Sequence, residues 1–484
     1  MNVTSSHKFR RKIRIIDATA IVIGSMIGSG IFIVSSDIAR SLGSPGWMLM
    51  VWLISGFLTV IAALSYGELA SMIPNAGGQY VYLRKIYNPL IGFLYGWSFL
   101  LVVQGGSIAA VGMAFGKFLG VIVPGISEGN AMIQLGSVHI TTVHAAAIIS
   151  IIFLTWINTR GIVAGKTVQN LFTITKVGIL LLFILIGVFF ARNLEAIQAN
   201  LKNFWHASHF TDGQSIPLHG WSLIALIGTS MVGALFSLDA WNNVTFAAGE
   251  VRNPKKIIPL SLFYGTLIVA ILYFFTNVVY MMALPIDGSP DGINVFERGI
   301  RFAVDDRIGT ASMEGILGSS AAVVMAILVV ISTFGCNNGM ILSGARVYYA
   351  MAQDKVFFKG AGVLNKQGVP ARGLVFQCIW AIVLCLSGTY SDLLDYVIAT
   401  VLLFYALTIA GVFILRIRQK DTIRKFRAFG YPVLPALYIV CTLFISTILL
   451  IYKSKYTWPG ILIILSGIPV YYFWRMINRN KAGN

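Results

Sequence analysis

Long apolar runs separated by short polar ones organise this chain. The stretches 168–190, 257–283, 393–415 and 433–450 are almost free of charge, and each matches the roughly 20 apolar residues that carry a helix across a bilayer. Continued along the chain, the pattern predicts twelve spans, near 15–40, 46–73, 89–122, 141–158, 167–190, 221–248, 257–284, 315–350, 373–388, 392–415, 433–452 and 457–474. The ninth has few apolar residues. The first opens with Asp17, is interrupted by glycines and lacks a small-x-small cleavage pattern. It therefore reads as a membrane helix and not as a cleaved signal peptide.

The placement of charge supports this topology. With the N-terminus inside, and charges near span ends counted to the nearer side, 26 of the 36 Lys and Arg fall on the cytoplasmic side, 9 fall outside, and Lys176 alone lies well inside a span. Short basic loops stay cytoplasmic. The basic stretches 346–372 and 416–427 both belong inside, so an even number of spans must separate them, which requires the ninth helix. A multi-pass protein of the plasma membrane (the inner membrane in a bacterium) is expected, with both termini cytoplasmic. Charged residues make up only 11% of the chain, against roughly 25% in soluble domains. The net charge of +18 is thus topological, and no nucleic-acid partner is implied; the expected surroundings are membrane lipid.

Enzymatic equipment is missing from the pattern. The longest polar loops, 191–220 and 285–314, face outward, and the second is net acidic. The histidines His7, His139, His144, His206, His209 and His219 lie in the tail, in external loops or at a span edge. They do not form the paired intramembrane clusters of a metalloenzyme. Cys336, Cys378, Cys385 and Cys441 all fall inside spans and read as small buried hydrophobes. No Gly-x4-Gly-Lys-Ser/Thr loop is present, which argues against direct ATP drive. Neither a cofactor nor a metal is expected.

An internal repeat carries more information. Residues 23–32 read Ile-Gly-Ser-Met-Ile-Gly-Ser-Gly-Ile-Phe, and residues 227–236 read Ile-Gly-Thr-Ser-Met-Val-Gly-Ala-Leu-Phe. Five helices separate the starts of the two units, so the second enters the membrane in the opposite direction. Inverted repeats with glycine-interrupted helices at matching positions point to a midplane transport site. A helix broken in the bilayer frees amides and carbonyls that must find partners. An amino acid zwitterion supplies both. Its carboxylate suits the amides of Gly28, Ser29 and Gly30, where a new half-helix presents its positive dipole end. Its ammonium suits carbonyls near Met26 and from Phe236 through Ser237 to Asp239.

Several motifs resemble the amino acid–polyamine–organocation superfamily, and within it the L-type amino acid transporter branch. They are Gly-Ser-Met-Ile-Gly-Ser-Gly-Ile-Phe at 24–32, Ser-Tyr-Gly-Glu-Leu-Ala at 65–70 followed by Gly-Gly-Gln-Tyr at 77–80, and Val-Gln-Asn-Leu-Phe-Thr-Ile-Thr-Lys at 168–176. Further along come Phe-Ser-Leu-Asp-Ala-Trp-Asn at 236–242, Glu-Val-Arg-Asn-Pro-Lys at 250–255, Thr-Asn-Val-Val-Tyr at 276–280 and Phe-Gly-Tyr-Pro-Val-Leu-Pro at 429–435. The similarity covers about residues 14–475. It implies an all-α integral membrane fold of twelve transmembrane helices with a LeuT-type 5+5 inverted repeat and broken helices 1 and 6. The division would be a tail at 1–14, a first repeat at 15–190, a second at 221–415, peripheral spans 11 and 12 at 433–474, and a tail at 475–484.

Lys176 is the most informative single residue, because a lysine within a span is costly and marks function by default. The resemblance implies a role like that of the matching lysine in sodium-independent relatives, which holds a sodium-like position. It would tether the carbonyls near Gly24, with Ser332 of span eight as a further partner. Phe236 matches the family's gating aromatic. Trp241 and Asn242 open the next half-helix and would line the side-chain pocket, and Tyr280 matches a tyrosine supporting the lysine region. Asp239 stands where the family commonly has glycine. It reads either as a carboxylate for a cationic group or proton, or as a helix N-cap, and both readings stay open. Glu68, Asp17, Asp392 and Asp395 read as structural.

The function implied is sodium-independent secondary transport of amino acids by alternating access and exchange, of neutral ones first, with cationic ones left open. A proton-coupled amino acid or polyamine symporter is the alternative. A channel or a sensor on the same fold is the competing class. Some relatives attach a heavy chain through a cysteine between spans three and four. Residues 123–140 contain none, so no disulfide-linked subunit is expected.

Overall fold

The computed structural model describes residues 11–135, 138–160, 162–191, 193–211, 214–387 and 390–480. The ends of the two expected tails, 1–10 and 481–484, lie outside the described residues. Among these residues, eleven helical segments are long and apolar enough to cross a membrane. A shorter apolar helix, Ala371–Cys385, stands where the ninth span is expected. Its 15 residues rise about 22 Å at 1.5 Å each, less than the roughly 30 Å of a hydrocarbon core. That shortness is why its apolar signal is weak.

Local chemistry sets the helix ends. Ser44 accepts from the Trp47 amide at 3.4 Å and Pro45 follows at the first helical position, opening the second span, Pro45–Met72. Asn88 and Pro89 repeat the arrangement at the third span, Pro89–Ile122. Inside that span, Phe99–Gln104 widen into a π-helix. Such bulges displace the residues that follow and are frequent at functional sites.

Two helices are broken, as the repeated glycines predict. The first span runs as Ile15–Met26, loses helical geometry over 27–29, makes one 3-10 turn at Gly30–Phe32 and resumes as Val34–Leu42. The sixth runs as Gly220–Ser237 and resumes at Asn243–Phe246. The first half of span one packs against the fifth span, Ile162–Phe190, the seventh, Pro254–Ala283, and the eighth, Ser319–Gln353. The two breaks therefore lie within a frame of intact helices.

The chain is not wholly helical. Strand β1 (Ala131–Leu135) pairs antiparallel with β2 (Val138–Thr141), and β3 (Ser208–Thr211) with β4 (Gln214–Pro217). These hairpins lie in connections between spans and depart from the all-α expectation. Ion pairs made by buried carboxylates fasten both ends of span ten. Glu68 is 1% exposed and receives both Nε and Nη2 of Arg416, at 2.9 and 2.7 Å, Arg424 at 3.3 Å and the Ala428 amide at 2.7 Å. It binds span two to the end of span ten, the structural role expected of it. Asp395 likewise pairs with Lys453 at 2.8 Å, and Asp17 accepts from the Arg14 amide at 2.9 Å at the start of its helix.

Candidate substrate site between two broken helices

Breaking the first span strips five successive carbonyls of helical partners, and side chains from three neighbouring spans meet them. Lys176, 1% exposed, donates to Gly24 O at 2.8 Å. The Cys336 thiol lies 3.1 Å from Ser25 O, and the Tyr273 hydroxyl donates to Met26 O at 3.1 Å. Ser332 Oγ reaches Ile27 O and Gly28 O, each at 3.5 Å, the outer limit of a hydrogen bond. Beyond the break, Tyr280 donates to Ile31 O at 3.0 Å. The bare carbonyl expected at Met26 is thus already engaged by Tyr273. Tyr280 braces the second half-helix and not the lysine end.

The amides behave differently. Backbone bonding resumes only with Phe32 N to Ser29 O and Ile33 N to Gly30 O. The amides of Gly28, Ser29 and Gly30 precede these bonds, so neither half-helix supplies them with a carbonyl. They stand at a helix N-terminus, the place where an anion is held without a counter-charge. In the sixth span, Asp239 N bonds back to Phe236 O at 3.0 Å. The carbonyls of Ser237, Leu238 and Asp239 receive no backbone donor among the described residues. Ser29 and Gly30 of the first break and Ser237 and Asp239 of the second line one cavity.

That cavity is lined by Met26, Gly28, Ser29, Gly30, Phe236, Ser237 and Asp239, together with Ser107, Val111 and Met340. Only about 20 Å³ admits the centre of a water-sized sphere, little more than a single water needs. Gly30 explains how the breaks come so close: a Cβ there would lie 2.0 Å from Ser237 Oγ and 2.6 Å from Ser237 Cβ. Phe236 sits edge-on to Tyr390 at 6.4 Å, and Tyr390 shares a 3.2 Å hydrogen bond with Ser29.

Trp241 and Asn242 lie apart from this cavity. Trp241 packs on Tyr66 and Tyr405, with ring centres at 4.7 and 5.3 Å. Asn242 donates to Gln79 Oε1 at 3.1 Å, and Gln79 donates to Thr408 at 3.0 Å. Gln79 follows Gly78, whose φ of +48° and missing side chain let the loop approach Thr245 and Phe246. The Gly-Gly-Gln-Tyr motif thus braces the second break. Asp239 is not a helix cap, since the helix after the break is preceded by Asn242 and has no side-chain cap bond. Its carboxylate accepts from the Tyr405 hydroxyl instead.

Charged contacts tie the chain together beyond either end of the cavity. At one, Arg301, 3% exposed, donates to Ala39 O at 3.3 Å and Ser208 O at 3.1 Å and pairs with Asp287 at 3.0 Å. It thereby fixes the end of the resumed first span to two loops. At the other, Glu250 pairs with Arg346 of span eight at 2.7 Å, both buried. Its carbonyl receives Lys12 N and Ile13 N at 2.9 and 3.0 Å. Among the described residues, no cluster of three His, Cys, Asp or Glu could hold a metal.

Two helices broken side by side around a small cavity, in a scaffold of continuous membrane helices, are the arrangement of a secondary transporter. The chain belongs to the amino acid permease family, whose model matches residues 13–472. It is accordingly an amino acid transporter and not an enzyme. Among its relatives, the human large neutral amino acids transporter small subunit 2 is 27% identical over 471 residues, covering 96% of this chain and 81% of that one. The serine/threonine exchanger SteT of Bacillus subtilis (strain 168) is 28% identical over 472 residues, covering 97% and 98%. The mouse b(0,+)-type amino acid transporter 1 is 26% identical over 467 residues, covering 96% and 88%.

Proposed function

We propose that this permease exchanges small neutral amino acids without sodium, on a LeuT-type 5+5 fold whose repeats are 15–190 and 221–415. The observation that carries the reading is Lys176, with its ammonium 2.8 Å from Gly24 O. A fixed cation at the end of the first half-helix does the structural work of a bound metal ion. The substrate carboxylate would take the amides of Gly28, Ser29 and Gly30, and its ammonium the carbonyls from Ser237 to Asp239. Phe236 would close over it, and Ser332 and Tyr280 would steady the first break as it moves.

The preference for small side chains rests on the size of the cavity, since about 20 Å³ of free space between Val111, Phe236 and Met340 leaves little width. One relative is named for serine and threonine exchange and another for large neutral amino acids, and that size favours the first kind of substrate. Trp241 and Asn242 would reach the substrate only through rearrangement of the second break. The positive-inside distribution supports cytoplasmic termini, and a cysteine-free stretch at 123–140 supports a chain that works without a disulfide-linked partner.

Proton-coupled symport is the second reading, favoured by the Asp239 carboxylate lining the cavity beside Tyr405. Competition for uptake into preloaded proteoliposomes tests both. Serine, alanine and threonine should compete, and ethanolamine, which lacks the carboxylate, should not. Competition by ethanolamine equal to that by serine would remove the amide site from the reading. Uptake that needs a proton gradient and ignores internal amino acid would favour symport over exchange.

A further inference from the structure

A cleft wider than the substrate cavity lies elsewhere in the described structure. It has a volume of about 430 Å³ and lies where the third, tenth, eleventh and twelfth spans meet, and all of the side chains around it are apolar. Its walls include Leu94, Leu403, Phe404, Leu407, Ala410 and Leu443. Leu407 and Leu443 are 37% and 48% exposed, so the cleft is continuous with the surface these spans turn to the bilayer. Water gains nothing there, since even a 150 Å³ apolar cavity stays dry. Left empty, its lining would lose dispersion contacts on one side. Hydrocarbon is the filling that its surroundings supply.

A polar rim closes one end. The Tyr87 hydroxyl donates to Leu407 O at 2.8 Å. Arg418 follows Leu407 by eleven residues in the same helix, Tyr390–Arg418, which is three turns and about 16 Å further along nearly the same face. Arg418 is exposed and donates through Nη1 to Ile86 O at 3.0 Å, leaving most of its guanidinium fork open. A guanidinium there, above a dry cleft, matches a phosphate joined to an acyl chain.

We propose that this cleft is a phospholipid site, with one acyl chain lying between spans ten and eleven and the phosphate on Arg418. The site adjoins the transport machinery through a single residue step. Phe404 lines the cleft, and Tyr405, the next residue, turns the other way to hold Asp239. A lipid in the cleft therefore supports the turn of span ten that shapes the substrate cavity.

Phosphatidylglycerol carrying a diazirine in its acyl chain, reconstituted with the intact protein and irradiated, tests the assignment. Adducts should concentrate on 403–410 and 439–443, at least fivefold above those on the exposed face of span five around Leu181 and Leu185. Ala410→Trp, which fills the cleft, should cut the adducts on 439–443 at least fivefold. Arg418→Gln should reduce the phosphatidylglycerol retained in native mass spectra at least threefold. Even labelling of all lipid-facing spans, or labelling of the wild-type pattern in Ala410→Trp, overturns the site. Unchanged lipid retention in Arg418→Gln overturns the phosphate contact. A disulfide-linked dimer formed by Leu443→Cys in the same membrane would assign the cleft to a second copy of the chain.

Discussion

Replacing Lys176 by Met keeps the aliphatic stem and removes the charge from the first break. Gly24 O then loses the ammonium donor. A hydrogen bond to a charged group contributes roughly 1.5–3 kcal/mol, and tenfold in an equilibrium corresponds to about 1.4 kcal/mol. The substrate-ready arrangement of the break should therefore become about 10- to 150-fold less populated, with a matching loss of uptake. Folding should respond differently. An ammonium that is 1% exposed carries a desolvation cost of several kcal/mol, and Met is spared it. The thermal midpoint of the purified variant should thus stay level or rise while transport falls. Uptake of labelled serine into preloaded proteoliposomes, measured beside thermal unfolding in detergent, separates the two effects. Transport by Lys176→Met within twofold of wild type would refute the cation role. So would a loss of transport explained by an equal loss of folded protein.

Other residues give independent predictions. Gly30→Ala places a Cβ 2.0 Å from Ser237 Oγ and should cut uptake more than tenfold, with partial recovery in Gly30→Ala/Ser237→Gly; full activity of the single variant would deny the close approach of the two breaks. Phe236→Ala should slow uptake severalfold while leaving serine binding by thermal shift nearly unchanged, because the amides and carbonyls of the breaks remain; equal losses of binding and uptake would contradict a gating role. Glu68→Gln strips Arg416 and Arg424 of their shared carboxylate. Breaking a buried pair costs about 3 kcal/mol or more, and the 22% exposure of Arg416 places this case at or below that figure, seen as a lower unfolding midpoint. An unchanged midpoint would make the pair dispensable.

The breaks and Lys176 were legible in the sequence because both violate a strong local expectation. Glycines repeated at matched places interrupt helices, and a charge inside an apolar run demands a reason. The supports of the break were harder to read. Tyr273 sits seven residues before Tyr280 on span seven, so the two lie on one face about 10 Å apart. They reach Met26 O and Ile31 O on either side of the break. That spacing was a usable signal. Cys336 and Tyr405 gave none, since a thiol and a phenol among apolar residues read as filling until the helix opposite them is known. Asp239 was ambiguous for the same reason. A carboxylate beside a helix start resembles a cap, and only the position of Tyr405 distinguishes the alternatives. The hairpins at 131–141 and 208–217 were hidden by their short, irregular alternation.

If a fixed lysine replaces a coupling cation at the site between the two broken helices, transport needs no sodium. The most direct measurement is uptake of labelled serine into proteoliposomes preloaded with unlabelled serine, with external sodium fully replaced by choline. Saturable uptake of unchanged rate, abolished when the internal serine is omitted, is the predicted result. A strict requirement for sodium, or uptake that never saturates, would contradict it.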